Sequence, residues 1–368
     1  MLFQFPNLLR KLCISENFEC RDFYFDTFSF REMIKNFPSP EQIDINISRL
    51  ESGESLSQLE KDAIKVILET AHELGSNIIV RAVGGWVRNK LLGIDAGDLD
   101  LAVENVTGDE FGKKLQSHFP KNHQKYQTII EYDGQPSVLW VAHAVIFDNY
   151  EIDVCRLRTE EFPDVPPSEN QGTPEEDSNG RDFTINSIFL NFNTMKIEDF
   201  SNGINDLKNR VLKTYIDAER KFSFEMNSLI RAFRFAVIFD FEMSEEIKTA
   251  IRKLKQKYIE KAPKNVCMHS IIKSFDVNIE ISKKVLELIN DFQYVQAIFD
   301  PKNVLDLNFE QIMKNVNELK EENQTPMHIL AAIYKNSYKS NKNGVIETIQ
   351  MVECNKELYS TIIPILEE

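Results

Sequence analysis

Cysteine is scarce in this 368-residue chain: there are five, scattered at Cys13, Cys20, Cys155, Cys267 and Cys354. They form no CxxC pair and no Cys/His zinc spacing, which excludes a disulfide-framed secreted module and a zinc module. A reducing, intracellular setting is expected, cytoplasmic first, with mitochondrial or nuclear placement left open. Long apolar runs are also missing. The longest, residues 138–147, falls well short of the roughly 20 residues that cross a bilayer, so no membrane role is expected. There is no GxGxxG and no Walker lysine, so neither a Rossmann nor a P-loop fingerprint is present. No internal repeat or low-complexity tract is found. Residues 1–15 carry Arg10 and Lys11 and no acid, a faint likeness to a mitochondrial presequence. Glu16, Glu19 and a low serine content argue against it, and the segment is read as an N-terminal extension.

Positive charge is in short supply too. The net charge is −15, which sits badly with nucleic-acid binding, because phosphate contacts need Lys and Arg. The deficit is uneven. Of 43 basic and 58 acidic side chains, residues 241–368 hold 17 and 19, so the first 240 hold 26 and 39, a net −13. Residues 248–264 carry seven basic side chains and one acid, Glu260. That run is either an RNA contact or a solvated helix face.

What is present is ordinary globular material, 42% hydrophobic and 27% charged, in a length that suits two or more domains. Residues 58–74 read as an amphipathic helix, with Ile64, Ile67, Leu68, Ala71 and Leu74 at helical spacing. Then follow a short strand at 77–83, a helix at 86–92, a strand at 98–103 and a helix at 108–119. Strands are expected at 126–132, 137–147 and 151–157. Residues 159–180 hold seven acids, four prolines and no Lys or Arg, which is loop chemistry. From Phe222 onward strand signals nearly vanish. The pattern is an α+β head followed by an all-helical remainder.

Three features carry chemistry. Gly84-Gly85-Trp86-Val87-Arg88 places a glycine pair between a strand and a helix. Glycine lets the backbone approach a ligand closely, and helix N-terminal N–H groups attract anions. Arg88, one turn into that helix, could add charge-assisted bonds to a phosphate. Alone, a GG turn is usually only a turn. Ten residues on come Asp98-Leu99-Asp100. In a strand, residues i and i+2 share a face, so both carboxylates would project together while Leu99 and Leu101 pack inward. Adjacent carboxylates suit a divalent cation, and Mg²⁺ is typically held by one or two carboxylates plus substrate phosphates. A solvated strand edge is the bland alternative. The third acid of a two-metal site would be Asp153, sharing a face with Cys155 and Leu157.

The stretch from Arg81 to Asp100, with its Gly84-Gly85, Arg88 and Asp98-Leu99-Asp100, resembles the first motif of class II tRNA nucleotidyltransferases, the CCA-adding enzyme and poly(A) polymerase family. Leu157-Arg158-Thr159-Glu160-Glu161 is similar to its next signature. Gly172-Thr173-Pro174-Glu175-Glu176-Asp177 and Arg181-Asp182-Phe183-Thr184-Ile185-Asn186 follow in order. Then come Glu198-Asp199-Phe200, Gly203, Asp206-Leu207, Arg231 and Arg234-Phe235. Each motif is weak alone; the ordered set, over about residues 80–241, is specific. The resemblance implies a nucleotidyltransferase-type mixed-sheet head at 56–215, a helical neck at 216–275 and a helical body and tail at 276–368, after an extension at 1–55. It implies template-independent addition of C, C and A to the 3′ end of tRNA from CTP and ATP. Asp98, Asp100 and Asp153 would be the catalytic acids and hold Mg²⁺. Gly84, Gly85, Arg88 and Arg181 would take the triphosphate, and Glu225, Arg231 and Arg234 the nucleotide. The acidic segment 163–172 falls where the family has a mobile loop.

Four positions depart from the family pattern. Asn89 stands where an aspartate is usual, and Gly180 where a second arginine precedes Arg181. The base-reading EDxxR motif is matched by Phe224-Glu225-Met226-Asn227-Ser228, so an arginine is replaced by Ser228. A Glu-Arg pair further on is matched by Lys264-Asn265. These losses fall on substrate handling, not on the metal acids. They imply relaxed base choice or impaired activity, or, as an alternative function, a non-catalytic paralogue that binds RNA as an interaction subunit. A DxD glycosyltransferase needs no glycine-arginine turn upstream and is ranked below these. His143, in an apolar run, reads as a core histidine, Trp86 as packing under its helix, the phenylalanines of residues 222–241 as core, and residues 121–125 as a solvated turn.

Overall fold

The computed structural model describes residues 37–119, 125–132, 135–147, 150–159, 171–352 and 357–367. The presequence-like segment, residues 121–124 and most of the acidic loop lie outside these. The chain divides into two units, one spanning Glu32–Ile216 and the other containing Asp217–Glu368.

The first unit is built on a seven-stranded mixed sheet. Its strands are β1 (Ile79–Val83), β2 (Leu99–Glu104), β3 (Lys125–Tyr132), β4 (Gln135–Ile146), β5 (Tyr150–Arg156), β6 (Ile188–Asn191) and β7 (Lys196–Asp199), in the order β3-β4-β5-β2-β1-β6-β7. Only β2 and β5 pair in parallel; the other neighbours are antiparallel. Among the described residues, six helices accompany it: α1 (Pro40–Glu51), α2 (Gln58–Leu74), α3 (Gly85–Leu92), α4 (Gly108–Gln116), α5 (Pro174–Gly180) and the short α6 (Gly203–Lys208).

Local chemistry sets these boundaries. Helix α2 opens with a capping box, Ser57 and Glu60 each accepting the other's backbone N–H. Glu60 is 5% exposed and also pairs with Lys90 at 2.7 Å, which ties α2 to α3. Helix α1 lies in the stretch read from sequence as an extension, yet it packs on α3 and β7. Its Asn46 donates to the carbonyl of Leu91 at 2.9 Å, so this helix is part of the sheet unit.

The acidic stretch read as loop up to residue 180 ends earlier, because Thr173 and Glu176 form a second capping box and Pro174 sits at the first helical position. The Thr-x-x-Glu spacing was visible in the sequence but was masked by the surrounding acids and prolines. Asp98 also differs slightly from expectation: it stands at a bend one residue before β2. Leu99 and Leu101 are buried as the alternation requires.

Arg81, at the middle of β1, is 6% exposed and reaches Glu104 at 2.7 Å and Glu198 at 2.6 Å. One guanidinium thus bridges β2, β1 and β7.

The second unit is helical, from α7 (Ala218–Phe224) and α8 (Met226–Ile238) through α9 (Glu245–Lys261), α10 (Lys264–Phe275), α11 (Ile279–Asp291) and α12 (Val295–Phe299) to α13 (Phe309–Asn317), α14 (Pro326–Ser340), α15 (Lys342–Val352) and α16 (Glu357–Glu367). Phe222, Phe233, Phe235, Phe239 and Phe241 are buried, as a core reading requires, whereas Phe224, at the end of α7, is exposed and is not part of the core. Phe233 meets Tyr294 edge-on at 5.7 Å, and Tyr294 meets Tyr258 at 5.5 Å. The Tyr294 hydroxyl donates to the Ile251 carbonyl at 2.7 Å.

Replacing Arg81 by alanine would leave Glu104 and Glu198 facing each other without their counter-charge. We expect a loss of about 3 kcal/mol in urea unfolding of the protein, and an unchanged midpoint would contradict the bridging role.

Candidate active site

Strand β1 ends at Val83 and helix α3 begins at Gly85. Gly84, between them, has φ +79° and ψ −137°, a conformation open in practice to glycine. A Cβ at this position would lie 3.1 Å from Oδ2 of Asp100 and 3.8 Å from Nη1 of Arg181. The turn therefore runs directly past one carboxylate and one cation. Gly84, the N-cap residue, has no side chain with which to cap α3, and the first N–H groups of a helix attract anions.

Arg88 is placed differently from a solvent-facing phosphate ligand. It is 3% exposed. Its Nε and Nη2 donate to Oδ1 of Asn89 at 3.1 and 2.8 Å, and Nη1 donates to Oδ1 of Asn186. The guanidinium fastens the turn helix to the Arg181–Asn186 segment. Asn89 accepts from Arg88 and also donates to the Asp95 carbonyl at 3.4 Å. An aspartate could accept likewise but could not donate, which gives this departure from the family pattern a local reason.

The acids form a row. Val83 pairs with Asp100, Asp100 with Asp153 on the parallel neighbour, and Asp153 with His143 on β4. Four adjacent strands therefore bring the glycine turn, two carboxylates and an imidazole side by side. Asp98 and Asp100 are half-buried, and the Asp153 side chain is 43% exposed. His143 is neither an isolated core residue nor a free ligand: its Nδ1 lies 2.7 Å from Oδ1 of Asp153. That hydrogen bond holds the imidazole pKa above its ordinary value, against the effect of burial, with the charges of Asp153, Glu151 and Asp98 adding to it. Nothing in the sequence pairs His143 with Asp153; the β4–β5 register does.

Arg181 closes the other flank. Its Nε and Nη2 donate to Oδ2 of Asp177 at 3.0 and 2.8 Å. Asp177 is fully buried and also accepts from the Arg158 backbone at 3.2 Å, with the Arg158 guanidinium 3.4 Å away. Burial opposes the charge on Arg181, but Asp177, Cys155 and Asp100 outweigh it and the pKa is raised. Burial pushes the Cys155 thiol up to about 11, so it stays protonated. At Gly180, where the family has an arginine, Arg158 fills the space: its Cδ would lie 3.4 Å from a Cβ there, and its Nη1 donates to the Gly180 carbonyl at 3.1 Å.

Several motif residues prove architectural. Asp199 accepts from the N–H groups of Gly203 and Ile204 at 2.8 and 2.9 Å. Gly203 passes so close to Thr184 that a Cβ would meet its carbonyl oxygen at 2.2 Å. Asp206 accepts from the Thr184 hydroxyl at 2.8 Å. Together they hold the Phe183–Ser187 stretch in place behind Arg181. Trp86 is 1% exposed and packs edge-on against Phe192, as expected.

Glu225, Arg231 and Arg234 belong to the helical unit. Glu225 joins α7 to α8 and pairs with Lys221 at 2.8 Å. Arg231 and Arg234 are half-buried over the Phe235 ring, at 5.3 and 4.7 Å. Ser228 is 0% exposed, so it offers nothing in place of an arginine.

The donor set around the row is oxygen, which suits a hard divalent cation. Among the described residues, no group of three or more His, Cys, Asp or Glu side chains is placed to hold a metal ion.

A sheet unit with a glycine turn beside paired carboxylates defines a nucleotidyltransferase-type head. Comparison with known proteins gives its kind. The poly(A) polymerase head domain family matches residues 80–213. The tRNA nucleotidyltransferase cca1 of Schizosaccharomyces pombe is 30% identical over 284 residues, 72% of this chain and 54% of the relative. The mitochondrial CCA tRNA nucleotidyltransferase of Saccharomyces cerevisiae is 29% identical over 312 residues, 78% and 55% respectively. This chain belongs to the class II tRNA nucleotidyltransferase and poly(A) polymerase family, whose members generally use a divalent metal. It spans about half the length of these relatives. The Thermotoga maritima CCA-adding enzyme complexed with tRNA shares the fold, with TM-score 0.65 at 20% identity over 87% of this chain and 72% of that one. A CCA-adding enzyme complexed with CTP gives 0.64 at 22%, over 87% and 73%. No helix among the described residues is long and apolar enough to cross a membrane.

Gly84→Ala would force an L-residue into this backbone conformation and crowd Asp100. We expect a stability loss of about 1–3 kcal/mol together with weaker nucleotide binding by equilibrium dialysis; wild-type behaviour in both would show the turn to be incidental.

Proposed function

We propose that this chain is a template-independent nucleotidyltransferase that adds the 3′-terminal CCA, or part of it, to tRNA from CTP and ATP. The observation that carries the proposal is the row from the Gly84 turn through Asp100 to Asp153. A divalent cation, Mg²⁺ in our reading, would be held by Asp98, Asp100 and Asp153 and would activate the RNA 3′-hydroxyl and stabilise departing pyrophosphate. Around it the chain's own residues have distinct tasks. Gly84 and Gly85 keep the backbone bare, so that a triphosphate can lie against the start of α3. Arg181, its direction fixed by Asp177, brings positive charge to the Asp100 side of that turn. Arg88 acts from beneath, holding the turn to Asn186. Burial of Leu99 and Leu101 keeps the strand that presents Asp100 from shifting.

In the helical unit, Glu225 is the carboxylate suited to accept the amino hydrogens of cytosine or adenine, and Arg231 and Arg234 supply charge for the nucleotide. Helix α9 exposes Arg252, Lys253 and Lys261. We assign to it part of the tRNA backbone contact, which offsets the acidic balance of the chain. The names of the relatives support the catalytic reading over a non-catalytic RNA-binding paralogue, and so does the retention of all three acids. One of those relatives, that of Saccharomyces cerevisiae, is named as mitochondrial, which supports an intracellular site of action that includes mitochondria.

The test is extension of tRNA lacking its 3′ CCA, with Mg²⁺ and single labelled nucleotides. Addition of C and then A, lost in Asp98→Ala/Asp100→Ala, is the expected result. Extension by the double variant, or none by the wild type while tRNA is still bound, would contradict it. With serine at position 228, UTP should compete better than in an enzyme that pairs both edges of the base.

A further inference from the structure

The Asp153 side chain is 43% exposed, and it lies opposite another carboxylate, Asp100. A carboxylate so placed would swing toward solvent unless something held it. What holds it is on the neighbouring strand. His143 lies between Ala142 and Ala144, both fully buried, and its own side chain is 17% exposed. The β4–β5 register puts it directly beside Asp153. An ionised carboxylate only accepts hydrogen bonds, so Nδ1 of His143 must carry the hydrogen in their 2.7 Å contact. That bond occupies Oδ1 of Asp153, fixes the plane of the carboxylate and leaves Oδ2 to ligate.

We infer that His143 is a positioning residue for Asp153, orienting its carboxylate for the divalent cation that Asp100 and Asp153 share. The inference rests on the metal-site reading above. Hydrogen-bond partners that orient metal ligands typically account for about 10- to 100-fold in metal affinity. A histidine that was buried merely as a satisfied core residue would influence stability and leave metal affinity unchanged.

The two roles separate by substitution. His143→Asn keeps an N–H donor at the place of Nδ1, whereas His143→Leu removes it and keeps the bulk. Mn²⁺ binding by the full chain, read by electron paramagnetic resonance in the presence of CTP, is the measurement, with thermal melting as a check on folding. Asp100→Ala serves as the control. We expect His143→Leu to bind Mn²⁺ at least about tenfold more weakly and His143→Asn to bind close to wild type. Wild-type affinity in His143→Leu, with Asp100→Ala weakened, overturns the inference and leaves the metal site standing. Equal weakening of the Asn and Leu variants also overturns it. A wild-type protein that binds no Mn²⁺ overturns the metal-site reading and this inference with it.

Discussion

Asp100 and Asp153 stand opposite each other on adjacent parallel strands, and two carboxylates so placed repel unless positive charge or hydrogen-bond donors intervene. Much of the surrounding structure answers that constraint. On one side the bare Gly84 turn and the Arg181 guanidinium border Asp100. On the other, His143 donates to Asp153. The space between is left for a cation brought in with phosphate. Buried Leu99, Leu101, Ile152 and Val154 pin both strands from below, so the carboxylates cannot separate by sliding.

The buried arginines of the sheet unit do structural work of the same kind. Arg81 spans three strands through two glutamates. Arg88 joins the turn helix to Asn186, and Arg158 shares Asp177 with Arg181. A guanidinium suits such positions because its planar fork can meet partners in several directions and remains charged when buried. A motif arginine is therefore not by itself a substrate contact. In this chain Arg181 borders the carboxylate row, while Arg88 is turned inward.

The fold was legible where periodicity is strong. The alternation around Leu99 and Leu101 located the second strand, and the spacing of Ile64, Ile67 and Ala71 the long helix before the sheet. Composition misled at residues 174–180, where the acids that suggest a loop are also first-turn acids of a capped helix. Of the site, the glycine turn and the Asp98–Asp100 pair could be read locally, because their chemistry depends on neighbours one to ten residues away. Pairing of His143 with Asp153 could not, since it depends on strand register. The Asp177–Arg181 pair, four residues apart, was within local reach; the approach of Arg158 to the same carboxylate was not, because the fold brings it there. Asn89 and Gly180 looked like losses in the sequence; in the structure each has a neighbour that uses the substituted group or fills the space.

The central claim is that the carboxylate row holds a divalent cation beside the glycine turn. Crystals grown with Mn²⁺ and a non-hydrolysable CTP analogue would test it through the anomalous difference map. The account predicts a peak liganded by oxygens of Asp100 and Asp153, with the triphosphate against Gly84 and Gly85. A nucleotide bound with its metal elsewhere, and Asp153 without a cation, would contradict it.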